Sequence, residues 1–249
     1  MRTIKALLIL AAVAAAAWPL AATAGEPVDL LLVLAADVSR SVDAAKFQLQ
    51  REGYAAAISD PRVVEALRSG RNGRVGLIFV EWSGVTSQRV LIDWTAIGDA
   101  ESAKGFGDRL LEAPRSFADR TSISGAITFA MEQFARSPYD SARRTIDISG
   151  DGTNNSGADV AVARDDAVAQ GVTINGLVIF SETPLSWNPD HTNPPGGLDN
   201  YYRKNVIGGP GAFVLAAQNF NSFGEAIIKK LIAEVAQARQ GPPRALALR

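Results

Sequence analysis

Apolar residues along this chain fall into short unbroken runs separated by stretches with helical spacing. The first run lies in Val28–Ser41, VDLLLVLAADVSRS, and stops at Asp37. It is too short to span a bilayer and lacks a 3.6-residue period, which predicts a strand buried on both faces. Similar runs predict strands over Arg74–Trp82, Arg144–Ser149, Val172–Phe180 and Ala212–Ala216. Gln88–Trp94 instead alternates polar and apolar residues, which predicts an edge strand with one wetter face.

Helical spacing fills the gaps. Phe47, Tyr54 and Ile58 place a helix over Val42–Ser59, with Ser41 as N-cap and Pro61 as its stop. Ala100–Glu112 is a second, closed by Pro114. Ile123, Ala126, Ile127, Ala130, Met131 and Phe134 form the strongest apolar stripe, ended by Pro138. Gly157–Gln170 follows. Ser222 and Glu225 form a capping box for a last helix whose apolar face is Phe223, Ile227, Ile228, Leu231, Ile232 and Val235. Alternating strands and helices predict an α/β fold: a doubly wound, mostly parallel six-stranded sheet with one antiparallel edge strand and helices on both faces.

One stretch breaks the rhythm. Ser181–Gly211 is rich in proline and glycine around Trp187, His191 and Tyr201-Tyr202. A loop of that length is expected to be mobile or to face a partner. The N-terminus reads as a targeting segment: Arg2 and Lys5, an apolar core Ala6–Ala17, then the small-x-small site Ala22-Thr23-Ala24. The expected organisation is a signal peptide over 1–24, one domain over 25–240 and a frayed tail over 241–249, with the mature protein periplasmic or secreted.

Composition narrows the chemistry. The 249 residues include 25 basic and 26 acidic side chains, a formal net charge of −1, which argues against a nucleic-acid partner or a polybasic membrane surface. There is no cysteine and one histidine, His191, so disulfides, thiolate metal sites and a histidine-rich zinc site are excluded.

Asp37, Ser39 and Ser41 stand where a buried parallel strand ends, the edge at which open α/β sheets place ligands. One carboxylate beside small hydroxyls makes a hard oxygen site, suited to Mg²⁺ or Mn²⁺ and unsuited to zinc. Asp151, in Ser149-Gly150-Asp151-Gly152, ends another strand on the same edge. Thr121 enters the Ile123 helix there. Each has a local alternative: Asp37, Ser41 and Thr121 as helix caps, Asp151 as a turn residue. Convergence from three loops favours a shared site.

Asp-x-Ser-x-Ser, followed by Thr121-x-Ile-x-x-Ala-Ile and Ser-Gly-Asp-Gly, resembles the metal-ion-dependent adhesion site of von Willebrand factor A-type domains. The segments DVSRSVD, VEWSG, TSISGAI, ISGDGTNN and VIGGPGAF further resemble exported bacterial von Willebrand A-like proteins classed as a domain of unknown function. The resemblance implies that Ser39, Ser41 and Thr121 bind the cation directly and that Asp37 and Asp151 do so directly or through water. A partner carboxylate would complete the shell.

Other residues carry weaker expectations. Asp147, inside a buried strand, needs a hydrogen-bond or ion-pair partner. Glu81 and Trp82 either line the rim of the site or form a solvated strand end. His191 is expected at the surface. Gly208-Gly209-Pro210-Gly211 lacks the Lys-Ser/Thr of a phosphate loop. Two functions remain: a non-enzymatic, metal-dependent protein-binding module that takes an Asp or Glu of its partner, or a Mg²⁺-dependent hydrolase or phosphoryl-transfer enzyme using the same carboxylates. Arg40 and Arg120 as the nearby cations, with no histidine near the loops, favour the first.

Overall fold

Strand β1 (Glu26–Pro27) pairs in parallel with a second two-residue strand, β5 (Tyr139–Asp140). The remaining strands form one sheet: β2 (Leu31–Asp37), β3 (Val75–Trp82), β4 (Gln88–Ile97), β6 (Arg144–Gly150), β7 (Val172–Ile179) and β8 (Val214–Ala217), in the order β4-β3-β2-β6-β7-β8. Only β4 runs antiparallel, at the edge beside β3. Every residue of β2 and β3 is buried, as their continuous apolar runs require, whereas in β4 only Ile92, Trp94 and Ile97 are buried. The structure is a computed structural model describing residues 25–116, 118–181 and 185–239. The expected targeting segment 1–24 and tail 241–249 lie outside them.

Side chains alternate across the sheet, so each strand feeds two cores. On one face Leu30, Leu32, Leu34, Leu77 and Phe79 meet helices α1 (Ala44–Ser59), α2 (Pro61–Arg68), α3 (Ala100–Glu112) and α8 (Phe223–Arg239). On the other, Leu31, Val33, Ile78, Val80, Ile146 and Ile148 meet α4 (Ile123–Phe134) and α5 (Val160–Ala169). The apolar stripe expected on α4 is its buried face: Ile123, Ala126, Ile127, Ala130 and Phe134 are buried, and Met131 packs against them.

Three local expectations change. Pro61 does not merely end a helix. Asp60 accepts the Arg62 N–H at 2.8 Å and Pro61 occupies the first turn, starting α2, because proline costs nothing where the N–H has no helical acceptor. The cap of α1 is Asp43 and not Ser41; its carboxylate accepts the Lys46 N–H at 2.9 Å. The expected Ser222–Glu225 box gives way to Asn219 and Ser222, which cap a 3-10 turn (Phe220–Ser222) leading into α8.

The Ser181–Gly211 stretch is not simply a mobile loop. Its described part contains α6 (Pro189–Thr192), α7 (Leu198–Tyr201) and a π-helical turn (Tyr202–Val206). Leu198, Tyr202 and Val206 join the α4/α5 core, nearly or fully buried. Tyr202 packs over the end of β6: a Cβ on Gly150 would lie 2.6 Å from its hydroxyl. Asp147 finds its partner in Lys230 of α8, at 2.8 Å.

Candidate metal centre

The chain leaves β2 toward β3 on one side and later returns to β6 on the other. The C-terminal ends of β2 and β6 therefore flank the point where the winding reverses, the usual ligand crevice of such sheets. Ala36 pairs with Ser149, which brings Asp37 and Asp151, just beyond, to one edge.

Asp37, Ser39, Ser41, Thr121 and Asp151 are all buried. Asp37 Oδ1 accepts the Ser39 N–H at 2.7 Å. Ser39 Oγ and Ser41 Oγ are 3.1 Å apart, and Ser41 Oγ donates to Asp151 Oδ1 at 2.5 Å. Four of the five expected residues thus form one hydrogen-bonded chain. Arg115 fixes the loop beneath them by donating to the carbonyls of Val38 and Val42, each at 2.7 Å.

The carboxylates are under-satisfied. Among the described residues Asp37 Oδ2 and Asp151 Oδ2 accept no hydrogen bond. Burial, reinforced by the charge of Asp151, pushes the Asp37 carboxyl up to about 8. Burial also raises Asp151, against its bond from Ser41 and the charge of Lys46. The Lys46 ammonium lies 3.6 Å from Asp151 Oδ2 and donates to the Ser41 carbonyl at 2.9 Å. Two buried carboxylates, each with an oxygen that accepts no hydrogen bond, beside the Ser39 and Ser41 hydroxyls fit a hard divalent cation, which prefers oxygen donors.

Thr121 stands slightly apart. Its backbone is buckled to the Asp151 loop: Thr121 N–H donates to Asn155 Oδ1, and Asn155 N–H donates to the Thr121 carbonyl, both at 2.9 Å. Its hydroxyl faces His191 Nε2 at 3.2 Å. His191 is therefore no surface residue; it is 3% exposed and seated on Gly152, where any Cβ would overlap the imidazole. Burial lowers its basicity, opposed by the charge of Asp151.

The tautomer follows from the contacts. Asn155 Oδ1 is committed to a backbone donor, so its Nδ2 side faces His191 Nδ1, at 3.4 Å. Thr153 Oγ1 lies 3.2 Å from the same nitrogen. Nδ1 is thus the acceptor, and Nε2 carries the proton it shares with Thr121 Oγ1.

Sequence reasoning missed His191, Asn155, Lys46 and Arg115. The tandem Asn154-Asn155 after Gly-Asp-Gly was a local signal, whereas His191 had none. Glu81 is neither rim nor solvated end. It is buried in an ion pair with Arg51 at 2.6 Å and accepts the Ser116 N–H at 3.0 Å, anchoring the loop before Thr121. Trp82 is fully buried.

The architecture is that of von Willebrand factor A-type domains. The chain superposes on a von Willebrand factor type A protein from Catenulispora acidiphila with a TM-score of 0.55 and 15% identity, covering 85% of this chain and 43% of that one. Proximal thread matrix protein 1 from the mussel byssus, with a zinc-occupied MIDAS motif, gives 0.55 and 16%, covering 85% and 48%. The pilus adhesin SpaC from Lactobacillus rhamnosus GG, in its open conformation, gives 0.57 and 12%, covering 85% and 30%. The chain therefore spans less than half the length of each. No curated protein matches the chain in sequence. Among the described residues no helix is long and apolar enough to cross a membrane. A family model described as Protein of unknown function (DUF1194) matches residues 27–239, and the chain belongs to that family.

Proposed function

We propose that this protein is an exported, non-enzymatic binding module that holds a divalent cation through Asp37, Ser39, Ser41, Thr121 and Asp151 and uses it to recognise a carboxylate of a partner protein. The observation that carries the reading is the pair of buried carboxylate oxygens, Asp37 Oδ2 and Asp151 Oδ2, without hydrogen-bond partners beside the Ser39 and Ser41 hydroxyls. The all-oxygen donor set favours Mg²⁺ or Mn²⁺. The mussel byssus protein's MIDAS motif is zinc-occupied, which supports a divalent cation more broadly. The cation would supply the positive charge that draws the partner's acid. Export rests on the targeting segment expected over residues 1–24, and points to the periplasm or beyond.

One observation favours the second reading, a Mg²⁺-dependent hydrolase or phosphoryl-transfer enzyme: His191 is buried against the loops, where the sequence suggested no base. Its acceptor nitrogen is occupied, however, by Asn155 Nδ2 and Thr153 Oγ1. The nitrogen facing Thr121 carries the proton. A general base must be free to take one, so the arrangement supports binding over catalysis.

The test is thermal. A cation that binds only the folded state stabilises it by mass action, by about 2.7 kcal/mol at a hundred times Kd, or a rise of roughly 5–10 °C in Tm. Mg²⁺ or Mn²⁺ should raise Tm and EDTA should reverse the rise. Asp37→Ala and Asp151→Ala should remove the response while remaining folded. A wild-type Tm indifferent to divalent ions would sink the metal reading, and phosphoester turnover lost in Asp37→Ala would favour the enzyme.

A further inference from the structure

A cavity of about 270 Å³ opens beside the candidate metal centre, and Ser41, Thr121 and His191 are on its wall. Arg40 and Arg120 also line it. Both are exposed, and among the described residues neither has a carboxylate within ion-pairing distance. Chain position holds them there: Arg40 lies between Ser39 and Ser41, and Arg120 directly precedes Thr121. The two loops are tied where the Arg40 N–H donates to the Asp119 carbonyl at 3.0 Å. Among the described residues Asp119 is the only acid on the wall, and its Oδ1 accepts the Arg120 N–H at 2.8 Å.

Thr121 adds a donor. Because His191 Nε2–H is directed at Thr121 Oγ1, the threonine keeps its own proton to give. The wall therefore offers two guanidinium groups and a hydroxyl proton to a negatively charged guest, although the whole chain is slightly acidic. Trp187, also on the wall, is 66% exposed. A bare inorganic anion has no use for that indole face, whereas a side chain flanking an acid would cover it.

We propose that the cavity docks a short run of acidic residues on the partner protein, read by Arg40 and Arg120, with Trp187 covering the neighbouring side chain. This rests on the site being a partner-binding site, and it changes the partner from any protein with one accessible acid to one with clustered acids. Guanidinium groups pair carboxylates bidentately, and unpaired rim charges steer such partners and reject basic ones.

The experiment uses the full mature chain and fluorescence anisotropy of two labelled peptides, an oligo-glutamate and a peptide with one glutamate among serines, in Mg²⁺ and in EDTA. The oligo-glutamate should bind about tenfold more tightly in Mg²⁺, and its affinity should fall as salt is added. Arg40→Gln with Arg120→Gln should erase that preference while leaving the melting response to Mg²⁺ as in wild type. Trp187→Ala should weaken both peptides. Equal binding of the two peptides by wild type, unchanged binding by the double variant, no binding of oligo-glutamate, or preference for an oligophosphate would each overturn the proposal. Arginine-dependent binding that persists in EDTA, with no effect of Mg²⁺ on Tm, would strike the metal reading and leave this one standing.

Discussion

Gly152 shows how the candidate site is assembled at the scale of single residues. Its missing side chain is the seat of the His191 ring, and the ring in turn meets Thr121 and Thr153. Gly152→Ala should therefore cost about 1–3 kcal/mol, as overpacking does, by displacing a ring on which three loops depend. In the Gly152→Ala, His191→Ala pair much of that cost should vanish, because the added methyl then meets no ring. Urea unfolding of the four forms measures the coupling, and additive costs would show that the contact is not what constrains Gly152. His191→Gln retains a donor and should keep Thr121 in place better than His191→Ala. That Asp37, Ser39, Ser41 and Asp151 gather at one sheet edge was legible because strand ends and short spacing advertise them. His191 was not, since nothing within its own segment says that it folds back over Gly152.

At the scale of elements, the periodic segments were legible and the packed irregular one was not. Prolines in 184–195 read as a break in regular structure, yet the following residues place Tyr202 and Val206 in the core. The turn Tyr202–Val206 should thus exchange its amide hydrogens far more slowly than an exposed loop, with the Ile207 N–H, bonded to the Tyr202 carbonyl at 3.1 Å, among the protected. Rapid exchange there would contradict the packing. Helix α8 is tied to the sheet by charge as well as apolar contact. Lys230 is fully buried between Asp147 at 2.8 Å and Glu234 at 2.5 Å, and Glu234 accepts from Asn175 Nδ2 at 3.0 Å. Burial opposes the Lys230 charge, but the two carboxylates outweigh it and hold the ammonium above its usual range. The need of Asp147 for a partner was readable from its strand. The identity of Lys230 was not: it falls at i+3 from Ile227 and i+7 from Phe223, on the buried stripe of α8, but a lysine there reads as the polar border of that face. Lys230→Met should cost about 3–5 kcal/mol, since it leaves two buried carboxylates facing each other. Adding Asp147→Asn should recover part of it.

At the scale of the whole molecule, the sheet carries buried charge at the loop edge with Asp37 and Asp151, on the α8 face with Asp147, Lys230 and Glu234, and in β3, where Glu81 pairs with Arg51. The mostly parallel sheet and its antiparallel edge strand were legible from run length and alternation, because a two-sided parallel sheet demands continuous apolar strands. The charge balance across its faces was not, since it depends on which distant side chains meet. That balance sets a pH dependence. Burial pushes the Asp147 carboxyl up to about 7, eased by Lys230 and worsened by Glu234, against an ordinary value of 3.8. Between those values the folded protein keeps a proton that the unfolded chain has released. Stability must then fall as pH rises through this window and level off above it. Asp37, raised to about 8, acts with the same sign and extends the fall. Asp147→Asn is neutral throughout, so in EDTA it should lose less stability than wild type between pH 4.5 and 7.5, by a few kcal/mol. The residual slope should belong to the loop edge and should shrink when Mg²⁺ is present at the higher pH. Parallel pH profiles for wild type and Asp147→Asn in urea unfolding would mean that Lys230 keeps Asp147 ionised across the whole range, and that the α8 charges contribute nothing to the pH response.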